Sequence, residues 1–107
     1  MKIFLDTAVY EDIEKANQSG LIDGVTTNPS LILKSGGDPV ETIKRISGDF
    51  PFFESISAEV VAEEAMQMVE QAQAFKDMQN VTIKVPLTVE GLKACKLLSS
   101  DGFTVNV

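Results

Sequence analysis

Six residues of this chain have the types and spacing that carbonyl chemistry needs: Asp6, Thr26, Asn28, Glu59, Lys84 and Asn106. A lysine drawn away from water has its ammonium form disfavoured, and the free amine can then add to a ketone. Carboxylates nearby can carry protons to and from hydroxyls, and amides can hold a substrate's oxygens. Histidine is absent. The chain therefore cannot build a Ser-His-Asp triad, a Cys-His pair or a His-ligated metal site by itself. Lysine is the natural candidate for covalent chemistry.

These residues need elements that bring them together. Short apolar runs alternate with helix-like runs, which predicts strands at about 2–6, 23–27, 55–60, 81–85 and 103–107. Helices are expected at about 9–18, 29–34, 39–48, 61–78 and 89–100. Such alternation is the pattern of a parallel α/β fold. The reading is of the N-terminal five strands of a (β/α)8 TIM barrel, incomplete in this chain, with residues 1–107 forming part of a single barrel domain. A barrel of that type typically takes roughly 250 residues.

Side chains alternate faces along a strand. Val81, Ile83 and Val85 form one apolar set, which leaves Thr82 and Lys84 on the opposite face. Ile56, Ala58 and Val60 oppose Ser55, Ser57 and Glu59 in the same way. In the first strand Ile3 and Leu5 point outward while Phe4 and Asp6 point inward, and Thr26 and Asn28 share a parity in the second. In the last strand Phe103, Val105 and Val107 oppose Thr104 and Asn106. Every strand thus offers an inward polar group at or near its C-terminal end, where barrel enzymes hold their catalytic groups.

Each residue also has a plainer reading. Lys84 could be a solvated surface charge, Asp6 a cap for the first helix, Asn28 an N-cap before Pro29, Glu59 an exposed residue ahead of a helix, and Asn106 a turn residue. The coincidence of five strands on one face weighs against taking all five plainly.

Local punctuation supports the helix assignments. Asp38-Pro39-Val40-Glu41 reads as a helix start with proline at the first helical position and a capping-box-like glutamate, and Thr88 reads as the cap of the last helix. Buried stripes are expected from Val40, Ile43 and Ile46, from Ala65, Val69 and Ala72, and from Leu92, Cys95 and Leu98. Gly20, Gly48 and Gly102 fall where helices give way to strands.

The formal charge of −7, from 16 acidic and 9 basic residues, argues against nucleic acid and anionic membrane surfaces as partners. No apolar run approaches a membrane span, and the early charges of the N-terminus do not suit a signal peptide. The single cysteine, Cys95, suits a reducing cytoplasmic setting.

Five segments carry a resemblance: Phe4-Leu5-Asp6-Thr7, Gly24-Val25-Thr26-Thr27-Asn28-Pro29-Ser30, Ser57-Ala58-Glu59-Val60, Ile83-Lys84-Val85-Pro86 followed by Thr88-x-Glu90-Gly91-Leu92, and Thr104-Val105-Asn106-Val107. With them the chain resembles the short-subunit branch of the transaldolase family over its whole length. The resemblance implies that Lys84 attacks a ketose carbonyl to form a Schiff base. Asp6 would take the proton of the C4 hydroxyl as the C3–C4 bond breaks, and Glu59 would act through a water during imine formation and breakdown. Asn28 and Asn106 would bind the dihydroxyacetone hydroxyls, with Thr26 in the same motif. The implied substrates are sugar phosphates such as sedoheptulose 7-phosphate or fructose 6-phosphate, in carbohydrate metabolism and the pentose phosphate pathway, with no cofactor and a homo-oligomeric assembly. Relatives acting as fructose-6-phosphate aldolases tend to carry glutamine at the position of Glu59, so glutamate points to transfer. The threonine, arginine and serine with which the family continues, for water placement and phosphate binding, are not within these residues.

Overall fold

A computed structural model describes all residues, Met1–Val107. Five strands form one sheet in the order β1-β2-β3-β4-β5: β1 (Phe4–Asp6), β2 (Gly24–Thr26), β3 (Ser55–Glu59), β4 (Val81–Lys84) and β5 (Thr104–Asn106). Every neighbouring pair is parallel. Between them run α1 (Tyr10–Gln18), α2 (Pro29–Lys34), α3 (Pro39–Asp49), α4 (Ala65–Ala72, continued by a 3-10 turn at Gln73–Phe75) and α5 (Val89–Ser100). Sequential strand order is that of consecutive β/α units in a barrel, and it lacks the reversal of a doubly wound sheet.

Crossovers of one hand place all the helices on one face of the sheet. That face is the core. Val25, Ile56, Ala58, Ile83 and Val85 from the strands meet Ile13, Ile43, Ile46, Met68, Ala72, Ala94 and Leu98 from the helices, all of them buried. The outward parity expected for β3 and β4 is thus realised. β5 is weaker: Val105 is half-buried, and Val107 lies beyond the strand and is exposed.

Helix starts follow local chemistry. Asp38 accepts from the Val40 and Glu41 amides, Thr88 accepts from the Gly91 amide, and proline stands at the first turn of α2 and α3. Gly20 and Gly102 take positive φ, +71° and +91°, in the turns after α1 and α5.

Three expectations are corrected. The helix expected over 61–78 begins only at Ala65, since residues 61–64 form a loop held by side chains from elsewhere. Gly48 lies inside α3, which runs on to Asp49; the glycine stands in open space and the helix tolerates it. In α5 the buried stripe is Gly91, Ala94 and Leu98, with Cys95 half-buried, whereas Leu92 is 50% exposed. A Cβ on Gly91 would collide with the Pro86 carbonyl, so the helix docks by its glycine and turns Leu92 outward.

Candidate active site

The inner face of the sheet carries its polar groups in two levels. Strand register aligns Asp6, Thr26, Ser57, Thr82 and Thr104 across all five strands. Two residues further along, about 7 Å toward the C-terminal ends, Glu59, Lys84 and Asn106 are direct neighbours on β3, β4 and β5.

Hydroxyls hold the lower level. Thr26 Oγ1 donates to Asp6 Oδ1 at 2.8 Å, and the Thr82 hydroxyl is 2.6 Å from that of Ser55, two residues before Ser57 on β3. The carboxylate of Asp6 is therefore oriented from the next strand. It does not cap α1, whose N-cap is Val9 without a side-chain bond. Asn28 lies just past β2 and caps α2: its Oδ1 accepts from the Ser30 and Leu31 amides at 3.0 and 3.3 Å. The cap reading of Asn28 therefore holds. With Oδ1 so engaged, its NH2 group has no partner within the chain and is available to an acceptor.

Asp6 and Asn28 line a cavity of about 390 Å³ between the β1–α1 loop and the first turns after β2, together with Thr7, Ser35 and Thr42. Glu59, Lys84 and Asn106 stand outside it.

At the upper level, backbone bonds tie the three strand ends together. The Val60 amide donates to the Lys84 carbonyl at 3.1 Å, and the Val85 amide donates to the Asn106 carbonyl at 2.9 Å. The Glu59, Lys84 and Asn106 side chains are exposed and form no ion pair with one another. The shielding from water that amine chemistry asks of Lys84 is thus not supplied by these five strands. What they supply is position: a carboxylate on one side of the amine and an amide on the other, each one strand away, or about 4.8 Å.

Several residues that shape this face carried little weight in the sequence reading. Ser57 is buried, and the Thr27 hydroxyl donates to its carbonyl at 2.7 Å, clamping β2 to β3 below Glu59. Thr27 lies in the Gly-Val-Thr-Thr-Asn run, next to Thr26. Gly24 permits the same close approach, because a Cβ there would strike the Ser55 carbonyl and the Phe4 ring. Gln71 on α4 accepts from the Val61 and Ala62 amides at 3.0 and 3.2 Å, and Glu90 on α5 accepts from the Ala65 amide at 3.2 Å. The Lys93 ammonium, 3.0 Å from Glu90, and then the Ala65 amide hold the Glu90 carboxyl below its ordinary range. Glu90 and Gly91 were visible in the Thr-x-Glu-Gly segment; nothing local singles out Gln71.

Residues 3–107 match the family model described as Transaldolase/Fructose-6-phosphate aldolase. The chain is 52% identical over 108 residues to a protein of Brucella anthropi named "Probable transaldolase", covering all of this chain and 49% of that protein. Proteins with the same name from Sinorhizobium medicae and Clostridioides difficile are 53% and 50% identical over 110 residues, again across the whole chain and 49% of their own length. The chain thus spans about half the length of these relatives, in keeping with five strands of an incomplete barrel. A match across nearly every residue, with each of the inner-face polar groups inside it, shows that the chain belongs to the transaldolase/fructose-6-phosphate aldolase family.

Proposed function

We propose that this chain is the N-terminal part of a single-domain (β/α)8 transaldolase, and that its complete protein moves a dihydroxyacetone unit between sugar phosphates through a Schiff base on Lys84. The observation that carries the reading is the adjacency of Glu59, Lys84 and Asn106 at the ends of three neighbouring parallel strands. Family membership supports the class of reaction.

In this mechanism the Lys84 amine adds to the C2 carbonyl of a ketose phosphate, and Glu59 relays protons through a water as the carbinolamine loses water to the imine. Asp6, oriented by Thr26, takes the C4 hydroxyl proton. The C3–C4 bond breaks, its electron pair moves into the protonated imine as an enamine, and an aldose phosphate departs. The enamine then adds to the aldehyde of an acceptor, Asp6 returns the proton to the new alkoxide, and water releases the ketose product. The protonated imine is the electron sink, so the scheme calls for no cofactor. Asn28 and Asn106 hold the hydroxyls of the three-carbon unit; the free NH2 of Asn28 suits that role.

A fructose-6-phosphate aldolase would use the same lysine and release free dihydroxyacetone. Glu59 favours transfer. Product analysis of the complete protein separates the two: with fructose 6-phosphate, transfer predicts turnover only when an acceptor aldehyde is added, whereas dihydroxyacetone released without an acceptor at a comparable rate would overturn it. The exposure of Lys84 and the unpaired outer edges of β1 and β5 favour placing activity in the complete protein rather than in residues 1–107 alone. The single cysteine fits a cytoplasmic setting, and the family fits a homo-oligomer.

A further inference from the structure

The β3–α4 connection leaves Glu59 and passes over the end of β4, and its restraint is unusual. α4 has no cap of its own, because its N-cap residue Glu64 makes no side-chain bond to the helix. Four successive restraints replace it. The Val60 amide bonds to the carbonyl of Lys84 itself. The Val61 and Ala62 amides both bond to Gln71 Oε1, reaching back from the far end of α4, and the Ala65 amide bonds to Glu90 Oε1 from α5. Glu90 follows Lys84 by six residues, through Pro86 and the capping Thr88. The connection after Glu59 and the connection after Lys84 are therefore fastened to each other by the Val60–Lys84 main-chain bond and by Glu90, while Gln71 ties the first of them to its own helix.

We propose that Gln71 and Glu90 are positioning residues for the amine chemistry, Gln71 first: by gripping the Val61 and Ala62 amides, Gln71 fixes the end of β3 so that the Glu59 carboxylate stands at a set distance from the Lys84 amine. Only Val60 separates Glu59 from the first gripped amide, so a slackened loop moves Glu59 directly. Misplacing a catalytic group by about 1 Å can cost on the order of a hundredfold in rate. Gln71 is one of the few side chains in the fold whose single oxygen serves two main-chain donors outside its own turn. A glutamine that merely solubilised α4 would have no reason to spend its one acceptor on two amides of the preceding loop. The inference rests on the reading of Lys84 and Glu59 as partners in imine formation.

The test is the rate of borohydride trapping of the complete protein with saturating fructose 6-phosphate, in the unmutated protein and in Gln71→Leu, Gln71→Glu and Glu90→Gln. Leucine removes the acceptor and glutamate keeps it, so the second variant guards against a simple loss of folding. Gln71→Leu is expected to trap at least tenfold more slowly, with its half-saturating substrate concentration unchanged and the Val61 and Ala62 amides exchanging faster. Gln71→Glu is expected to trap within about threefold of the unmutated rate, and Glu90→Gln to fall between. A slowing in Gln71→Leu that follows only from lowered thermal stability, with Gln71→Glu equally slow, overturns the positioning role, as does an unchanged rate in Gln71→Leu. Failure of the unmutated protein to trap at all overturns the lysine reading, and the positioning role with it.

Discussion

The two ends of the polar arc are built differently. At the β1–β2 end each group already has a partner: Asp6 receives the Thr26 hydroxyl, Asn28 receives two amides, and a cavity of about 390 Å³ opens beside them. At the β3–β5 end Glu59, Lys84 and Asn106 are aligned through their main chain, and their own side chains face water without a partner. The difference teaches what neighbouring strands can settle by themselves. A hydroxyl and a carboxylate on adjacent strands lie within hydrogen-bond reach, so Asp6 is oriented before any substrate arrives. A lysine with four methylenes is not pinned by a neighbour of similar height, and its environment depends on what closes over the inner face.

Gly91→Ala attacks the β3–β5 end through its backbone: the new Cβ meets the Pro86 carbonyl and must push α5 from the end of β4. A loss of ~3 kcal/mol, at the upper end for forced overpacking, is expected in denaturant unfolding, and a loss below ~0.5 kcal/mol would show that the contact yields easily.

Thr26→Val tests the pre-set end. It keeps the β-branched shape and removes the donor to Asp6, so stability should change by less than ~1 kcal/mol. Turnover should fall by roughly tenfold, the price of leaving the carboxylate to find its own orientation. Equal turnover in the variant would mean that Asp6 needs no such guide.

Asn28 carries two roles that substitution can separate. Alanine removes the cap of α2 and should cost about 1 kcal/mol in thermal unfolding. Aspartate keeps the acceptor and loses the NH2, so stability should hold while the KM for ketose rises. If both variants bind ketose normally, Asn28 is a cap and nothing more.

The smallest effect concerns Glu90. Its carboxyl is held below the ordinary range by Lys93 and by the Ala65 amide, so the folded state favours the charged form. Whatever this adds to stability is complete above the ordinary glutamate pKa of about 4.3 and disappears as pH falls through the lower folded value. The Ala65 amide resonance should therefore titrate with a midpoint below that of an unstructured glutamate, and Glu90→Gln should abolish the titration. Because the group is exposed, the change in melting temperature over this range should be slight.

Much of this was legible in the sequence, and for a physical reason. The period of two in Val81-Ile83-Val85 and Ile56-Ala58-Val60 states which face is core, and with it the direction of Lys84 and Glu59. Caps at Asp38 and Thr88 act within four residues, so local pattern finds them. The start of α4 was not legible, because it is set by Gln71 and by Glu90, 25 residues from the amide it holds. The rotation of α5 was missed for a similar reason: the stripe of Leu92, Cys95 and Leu98 is a sound helical period, yet the close approach of Gly91 to Pro86 selects a neighbouring stripe. The pairings of Thr26 with Asp6 and of Thr82 with Ser55 needed the register of the strands, which parity alone does not give.

On this proposal one lysine, on the strand between those of Glu59 and Asn106, carries the chemistry. Borohydride reduction of the complete protein with fructose 6-phosphate, followed by peptide mass mapping, tests it most directly. The account predicts a single adduct on the peptide containing Lys84 and none in Lys84→Arg; an adduct on a different lysine, or an undiminished adduct in Lys84→Arg, would contradict it.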